Sequence, residues 1–247
     1  MASKIFGLIG YPLGHSFSRK FFNDKFEKEN IDAEYQNFEI PNLSNVEEIL
    51  KRTDIAGLNV TIPYKLQIME HLDNIDSNAA AIGSVNVIKI ERNGSSLTTK
   101  GFNTDIIGFH DSIAPHLKDI HQNALILGTG GASKAVAQCF YNLGISHTFV
   151  SRNPGNDRIT YGDITDDIIN RHKIIVNTTP LGMYPKVDTC PDIPYDSITP
   201  DHICFDLTYN PSETLFLKKS KDRGALTVNG LEMLIGQALA AWKIWNE

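Results

Sequence analysis

The sequence predicts an α/β protein in two halves, a mixed-sheet N-terminal half and a doubly wound, parallel-sheet C-terminal half. Three observations carry that expectation. Strand-like and helix-like segments alternate along nearly the whole chain. Asn93-Gly94 separates two strand-like runs, a hairpin signal that implies antiparallel pairing in the first half. Gly128-Thr129-Gly130-Gly131 follows a short apolar strand and opens a helical pattern, the punctuation of a βαβ unit.

Taken in order, Lys4–Ile9, Glu34–Glu39, Gly57–Thr61, Val85–Ile90 and Ser96–Lys100 read as strands of the first half. Ser18–Asn30, Val46–Lys51, Tyr64–Leu72 and Asn74–Ile82 read as its helices. Asp105–Leu117 reads as a helix leaving that half, so the domains are expected at 1–104 and 105–230. Beyond it, Ala124–Leu127, Thr148–Val150, Ile174–Asn177, Ile203–Leu207 and Leu226–Val228 read as strands. Ser133–Leu143, closed by Gly144, is the helix after the glycine turn. Leu231–Asn246 is a long helix with apolar periodicity, expected to join residues 231–247 back to the first domain. No repeat or flexible linker interrupts the chain, so the crossover at Asp105 reads as rigid and the cleft between the halves as the expected ligand site.

Composition narrows the function. The 247 residues are 41% hydrophobic and 21% charged, ordinary for a globular chain that buries a sizeable core. A net charge of -6 argues against a broad basic face for nucleic acid. Cys139, Cys190 and Cys204 make no CxxC pair and no metal pattern, which fits a reducing compartment, no disulfide framework and no metal. No apolar run approaches the roughly 20 residues that cross a membrane, and the N-terminus reads as a strand rather than a leader. The expectation is a cytoplasmic protein without membrane or nucleic-acid partners, as monomer or homodimer.

The segment from Ala124 to Ser133 fits a dinucleotide-binding turn. Gly128 permits the tight turn, Gly130 lets the backbone approach a pyrophosphate, and the following helix aims free N–H groups at that anion. Ser133 replaces the third glycine of the pattern. A glycine-rich turn without a ligand stays open on this motif alone. Arg152 follows the second strand, where an NAD enzyme usually places an acid for the ribose hydroxyl. A cation there suits a 2′-phosphate, favouring NADP, with Arg158 as a second cation. A solvated surface arginine is the alternative, and Asp157 stands close by in sequence.

Four segments of the first half carry more polar residues than a core needs. In Gly10–Ser18, the hydroxyls of Ser16 and Ser18 can face the same way, and Ser18 stands at the expected helix N-cap. Hydroxyls beside a helix N-terminus suit a carboxylate, although plain capping also explains Ser18. In Gly57–Lys65, Asn59 and Thr61 share a strand face, and Pro63 puts Lys65 in the expected first helical turn. The dipole opposes a cation there and would lower its pKa, which suits a proton donor; a solvated lysine is the alternative. Asn86 interrupts an apolar strand, and Asp105 reads as an N-cap. Together they describe a pocket of neutral donors and acceptors with one ammonium and one carboxylate, which fits a polyhydroxylated acid.

GYPLGHSFS, GLNVTIPYK, AIGSVNVI, GFNTD, LGTGGASKAV, VNTTPLGM, DLTYNPSETLFL and NGLEMLIGQA follow one another along nearly the whole chain. In these segments and their order the sequence resembles the shikimate/quinate dehydrogenase family. The resemblance implies a substrate-binding first half, a Rossmann second half for NADP, and NADPH-dependent reduction of 3-dehydroshikimate to shikimate, with relaxed quinate or NAD use as the alternative. It implies that Ser16 and Ser18, with Tyr209, bind the substrate carboxylate. Asn59, Thr61, Asn86, Asp105 and Gln237 would hold the hydroxyls, and Lys65 and Asp105 would form the catalytic pair. Gly128, Thr129, Gly130, Gly131, Ala132 and Ser133 would hold the pyrophosphate, Ser151 and Arg152 the 2′-phosphate. Thr178, Leu207, Gly230 and Met233 would line the nicotinamide side. The phosphate loop departs from the family's Asn-Arg-Thr, reading Ser151-Arg152-Asn153. The family usually adds a helical turn-back where this chain stops at Glu247, so a single helix is expected to cross between domains.

Overall fold

A computed structural model describes residues 4–14, 16–94 and 96–247; His15 of the first polar segment lies outside them. The chain divides into two units, residues 1–104 with 238–247, and residues 105–237.

Unit 1 contains β1 (Lys4–Gly10), α1 (Phe17–Lys28), β2 (Ala33–Glu39), α2 (Val46–Lys51), β3 (Ile55–Val60), β4 (Asn74–Ile75), α3 (Ser77–Ile82), β5 (Val87–Asn93) and β6 (Ser96–Phe102). Among the described residues the sheet runs β2-β1-β3-β5-β6-β4. β1 pairs in parallel with β2 and β3, whereas β3–β5 and β5–β6 are antiparallel, the expected mixed sheet. Both faces are covered. Ile9, Leu58 and Ile88 pack with Val46 and Leu50 of α2, while Phe6, Leu8 and Val87 pack with Phe22 and Phe26 of α1 and with Trp245. Burial on both faces is why β1 reads as an almost continuous apolar run.

Two expected helices of this unit differ. Residues 64–72 form no α-helix; a 3₁₀ turn covers only Gln67–His71. The Lys65 carbonyl accepts from Val85 N–H (2.8 Å), and the Tyr64 hydroxyl donates to Ile40 O (2.6 Å), so tertiary bonds displace the helical ladder. The segment 74–82 splits into β4 and α3. Asp73 accepts from the backbone N–H and hydroxyl of Thr99 (2.8 and 2.9 Å), drawing the chain onto the β6 edge. Asp76 then caps α3 by accepting from Asn78 N–H.

Unit 2 contains α4 (Asp105–Ile113), β7 (Asn123–Leu127), α5 (Gly131–Asn142), β8 (Ser146–Ser151), β9 (Arg158–Thr160), α6 (Asp166–Arg171), β10 (Ile174–Asn177), β11 (Ile203–Asp206), α7 (Leu215–Lys221), β12 (Leu226–Val228) and the first part of α8 (Leu231–Asn246). Its sheet runs β12-β11-β10-β7-β8-β9, all in parallel. This is a doubly wound order, with the switch of direction at β7. Leu125, Val150, Ile175 and Cys204 pack with Ile169 and Phe216 on one face. Phe109 of α4, Phe140 of α5 and Phe205 of β11 meet edge to face in the core, with centroids 5.0 and 5.4 Å apart. Edge strand β9 was not expected, since three residues are too few to show a period.

Candidate active site

In unit 1 the parallel register of β1 and β3 brings the chain after each strand to the same sheet edge. Leu8 stands opposite Asn59, and Ile9 opposite Val60. Past the strands, Thr61 N–H donates to Ile9 O (2.9 Å) and Tyr11 N–H to Ile62 O (3.2 Å). Segments 10–18 and 59–65 therefore emerge together at the carboxyl end of the sheet, the end where open α/β sheets hold ligands. Gly10 is required at this crossing, because a Cβ there would lie 2.5 Å from Thr61 Cγ2.

Ser16, not Ser18, caps α1: its Oγ accepts from Arg19 N–H at 3.2 Å. That bond leaves the Ser16 hydroxyl proton available to an incoming acceptor. Ser18 lies in the first turn. Asn59 is buried, with Nδ2 donating to Asn86 O (3.2 Å) and Oδ1 accepting from the Tyr35 hydroxyl (2.7 Å). Asn86 precedes β5 instead of lying within it, and its Oδ1 accepts from Thr104 N–H (2.7 Å). The amide thus fixes the chain immediately before Asp105. Lys65 stands ahead of the 3₁₀ turn, so the helix dipole that the sequence reading set against it is absent. Asp105 is the first helical residue of α4 instead of its N-cap, still a favourable place for an acid.

In unit 2 the glycine turn follows β7. Gly128 has φ +112°, and a Cβ there would meet Thr178 Oγ1 at 2.6 Å. Thr178 is drawn in by two bonds to Leu127 O, from its N–H (2.9 Å) and its hydroxyl (2.8 Å). The turn and Thr178 thus come together across neighbouring strands β7 and β10. Gly130 is the N-cap of α5 without a side-chain cap, and a Cβ on Gly130 or Gly131 would meet nothing within 4 Å. Open space in front of uncapped helix N–H groups is what a phosphate needs. Ser133 is buried and its hydroxyl donates to Gly130 O (2.6 Å), so the side chain fastens the turn while the backbone N–H remains an orphan of the first helical turn.

At the end of β8, Ser151 Oγ accepts from Asn153 N–H (3.3 Å). Arg152 lies within electrostatic reach of Tyr161, whose phenol burial raises and the guanidinium partly lowers. Arg158 is committed elsewhere: its Nε donates to Asp157 at 2.7 Å. The second cation expected from sequence is therefore already paired, and Asp157 with it.

Of the remaining predicted residues, Leu207 and Tyr209 follow β11, Gly230 precedes α8, and Met233 and Gln237 lie in α8 against Gly108 of α4. A Cβ on Gly230 would lie 2.0 Å from Leu207 O, so glycine alone permits this crossing. Met233 is buried in the first turns of α8, and the Gln237 amide donates to Leu234 O (3.0 Å). Tyr209 is exposed on the segment after β11. Sequence reasoning missed the cluster that organises these loops. Buried Asp206 accepts from Thr208 N–H (2.9 Å), the Thr214 hydroxyl (2.6 Å) and Asn177 Nδ2 (3.1 Å). Asn177 Oδ1 in turn accepts from the Thr179 N–H and hydroxyl (3.1 and 2.6 Å). Burial raises the Asp206 pKa, and the Thr214, Thr208 and Asn177 donors oppose that rise. An acid ending an apolar strand, Cys204-Phe205-Asp206, was the available signal.

Comparison with known proteins bears on both units. A profile of the shikimate dehydrogenase substrate-binding domain matches residues 8–88. A relative named shikimate dehydrogenase (NADP(+)), from Methanococcus maripaludis strain C7, is 42% identical across 99% of this chain and 91% of its own. The chain belongs to the shikimate dehydrogenase family. Among solved structures, a chorismate mutase/shikimate 5-dehydrogenase fusion protein from Clostridium acetobutylicum is 37% identical, with a TM-score of 0.86 over all of this chain and 92% of that one. A shikimate dehydrogenase crystallised with NADP+ is 36% identical, with a TM-score of 0.83 over 98% of this chain and 90% of that one. The shikimate dehydrogenase substrate-domain match spans Ser16, Ser18, Asn59, Thr61, Lys65 and Asn86. In unit 2, the open α5 N-terminus fits a pyrophosphate, and Arg152 offers a cation one residue beyond the end of β8.

Proposed function

We infer that this chain is an NADP-dependent shikimate dehydrogenase that reduces the ketone of 3-dehydroshikimate to the secondary alcohol of shikimate, reversibly. The observation that carries the reading is the glycine turn: a left-handed Gly128 packed on Thr178, followed by an uncapped helix N-terminus with open space before it. NADPH, when bound, supplies the hydride. Gly128 to Ser133 hold its pyrophosphate through backbone N–H groups, and Ser151 and Arg152 hold the 2′-phosphate. Thr178, Leu207, Gly230 and Met233 line the nicotinamide side.

The substrate's carboxylate takes hydrogen bonds from Ser16 and Ser18, with Tyr209. Asn59, Thr61, Asn86, Asp105 and Gln237 orient its hydroxyls. Lys65 and Asp105 are the catalytic pair. As charge builds on the ketone oxygen, Lys65 stabilises it and delivers the proton; Asp105 is the accepting partner that orients the reacting end. Donors already aimed at developing charge lower the barrier because they need no reorganisation during the reaction.

The test is the NADPH absorbance band on adding 3-dehydroshikimate to the purified chain. Rapid loss of absorbance, slower with NADH, is the expected result; in the oxidative direction NADP+ with quinate should gain absorbance more slowly than NADP+ with shikimate. No change with 3-dehydroshikimate contradicts the assignment. Equal rates with quinate and shikimate would make it a quinate/shikimate dehydrogenase.

A further inference from the structure

Tyr35 is the largest fully buried side chain of the described residues, and it lies on β2, away from every motif that points to the substrate. Its hydroxyl nevertheless ends among the polar side chains of unit 1. The ring stacks on Phe22 of α1, with centroids 4.8 Å apart and planes 11° apart. The Tyr35 backbone is pinned by Asn23, which accepts from Tyr35 N–H (2.8 Å) and donates to Tyr35 O (3.0 Å). Helix α1 and strand β2 are therefore locked in register around this ring.

The hydrogen-bond directions follow from the partners. Asn86 O accepts only, so the Asn59 amide nitrogen must face it, at 3.2 Å. Asn59 Oδ1 then faces Tyr35, and the phenol must be the donor, at 2.7 Å. The buried phenol thus fixes the orientation of the Asn59 side chain, which comes from β3.

We propose that Tyr35 is a positioning residue of the substrate site, holding the Asn59 amide in the orientation in which it meets shikimate. The proposal rests on the reading of Asn59 as a substrate contact. Phenylalanine keeps the stack on Phe22 and removes only the hydroxyl, so Tyr35→Phe isolates the claim. Steady-state kinetics of Tyr35→Phe, Asn59→Ala and the double variant provide the test. Tyr35→Phe is expected to raise the KM for shikimate roughly three- to tenfold, about the worth of one neutral hydrogen bond. Its kcat and its KM for NADP+ should stay near wild type. Asn59→Ala is expected to raise the shikimate KM as well, and to raise it less in the Tyr35→Phe background, because Tyr35 acts through Asn59.

An unchanged shikimate KM in Tyr35→Phe beside a raised one in Asn59→Ala overturns the role of Tyr35 and leaves the substrate reading intact. An unchanged KM in Asn59→Ala overturns both. Equal losses in both KM values and kcat, or effects that multiply in the double variant, mark Tyr35 as a core residue only and also overturn the proposal. Should Tyr35→Phe not fold, 3-fluorotyrosine in the unsubstituted chain serves. The ¹⁹F signal of Tyr35 is expected to move on saturation with shikimate and to stay put with NADP+ alone; a signal indifferent to shikimate overturns the proposal.

Discussion

Lys65 and Arg152 are the two cations on which the proposed chemistry turns, and their surroundings differ. Lys65 precedes the 3₁₀ turn, and its own carbonyl accepts from Val85 N–H, so a tertiary bond and not a helix fixes its backbone. Lys65→Ala should lower kcat by roughly 10²- to 10⁴-fold, the usual contribution of a positioned proton donor, with the shikimate KM closer to normal. Wild-type turnover in that variant would remove Lys65 from the reaction. Arg152 follows β8, while Arg158 is paired with Asp157; on the proposed reading Arg152 is the cation for the 2′-phosphate. Arg152→Ala should weaken NADPH binding roughly 10- to 100-fold, the range of a charge-assisted hydrogen bond, and leave NADH binding nearly unchanged. Fluorescence titration with both cofactors checks this, and parallel losses would contradict it.

Turns, more than helices or strands, decide where these side chains stand. Gly128 combines φ +112° with a 2.6 Å approach to Thr178 Oγ1, so Gly128→Ala faces both backbone strain of about 1–3 kcal/mol and a clash. A lower melting temperature and weaker NADPH binding are expected, measured by thermal unfolding and titration; unaltered affinity would show that the turn does not hold the cofactor. This turn was legible in the sequence because a glycine pattern between strand and helix has a local cause. So were β10, β12 and α8, whose observed bounds are those read from periodicity. The region 64–82 was not legible, since Val85, Ile40 and Thr99 claim its polar groups from distant positions. Nor was the Asp206–Asn177–Thr214 cluster, because its members are far apart in sequence and only the sheet makes them neighbours. Tyr35 escaped for the same reason: a tyrosine in a strand says nothing about which amide its hydroxyl reaches.

At the scale of the molecule the two units carry different pH sensitivities. Burial lowers the pKa of His147, His172 and His202, all in unit 2. His202 shows why: Thr199 N–H donates to Nδ1 (3.0 Å), leaving the proton on Nε2, which faces Ile169 O at 3.1 Å. A second proton would set one N–H against another. The unfolded chain takes up that proton near pH 6.5 while the folded chain does not. Stability from these groups is therefore complete above about pH 6.5 and is lost as pH falls from there through the lowered folded values. Thermal melts should drop across that window, and less in His202→Gln; a flat profile would contradict the burial argument. No described helix is long and apolar enough to cross a membrane. The whole account stands on direct transfer of hydride to the substrate ketone, and isotope tracing tests that claim most directly. NADPH deuterated at both hydride positions of its dihydronicotinamide ring, incubated with the chain and 3-dehydroshikimate, should yield shikimate with one deuterium on the newly formed carbinol carbon. Shikimate without that deuterium, or no shikimate at all, would contradict it.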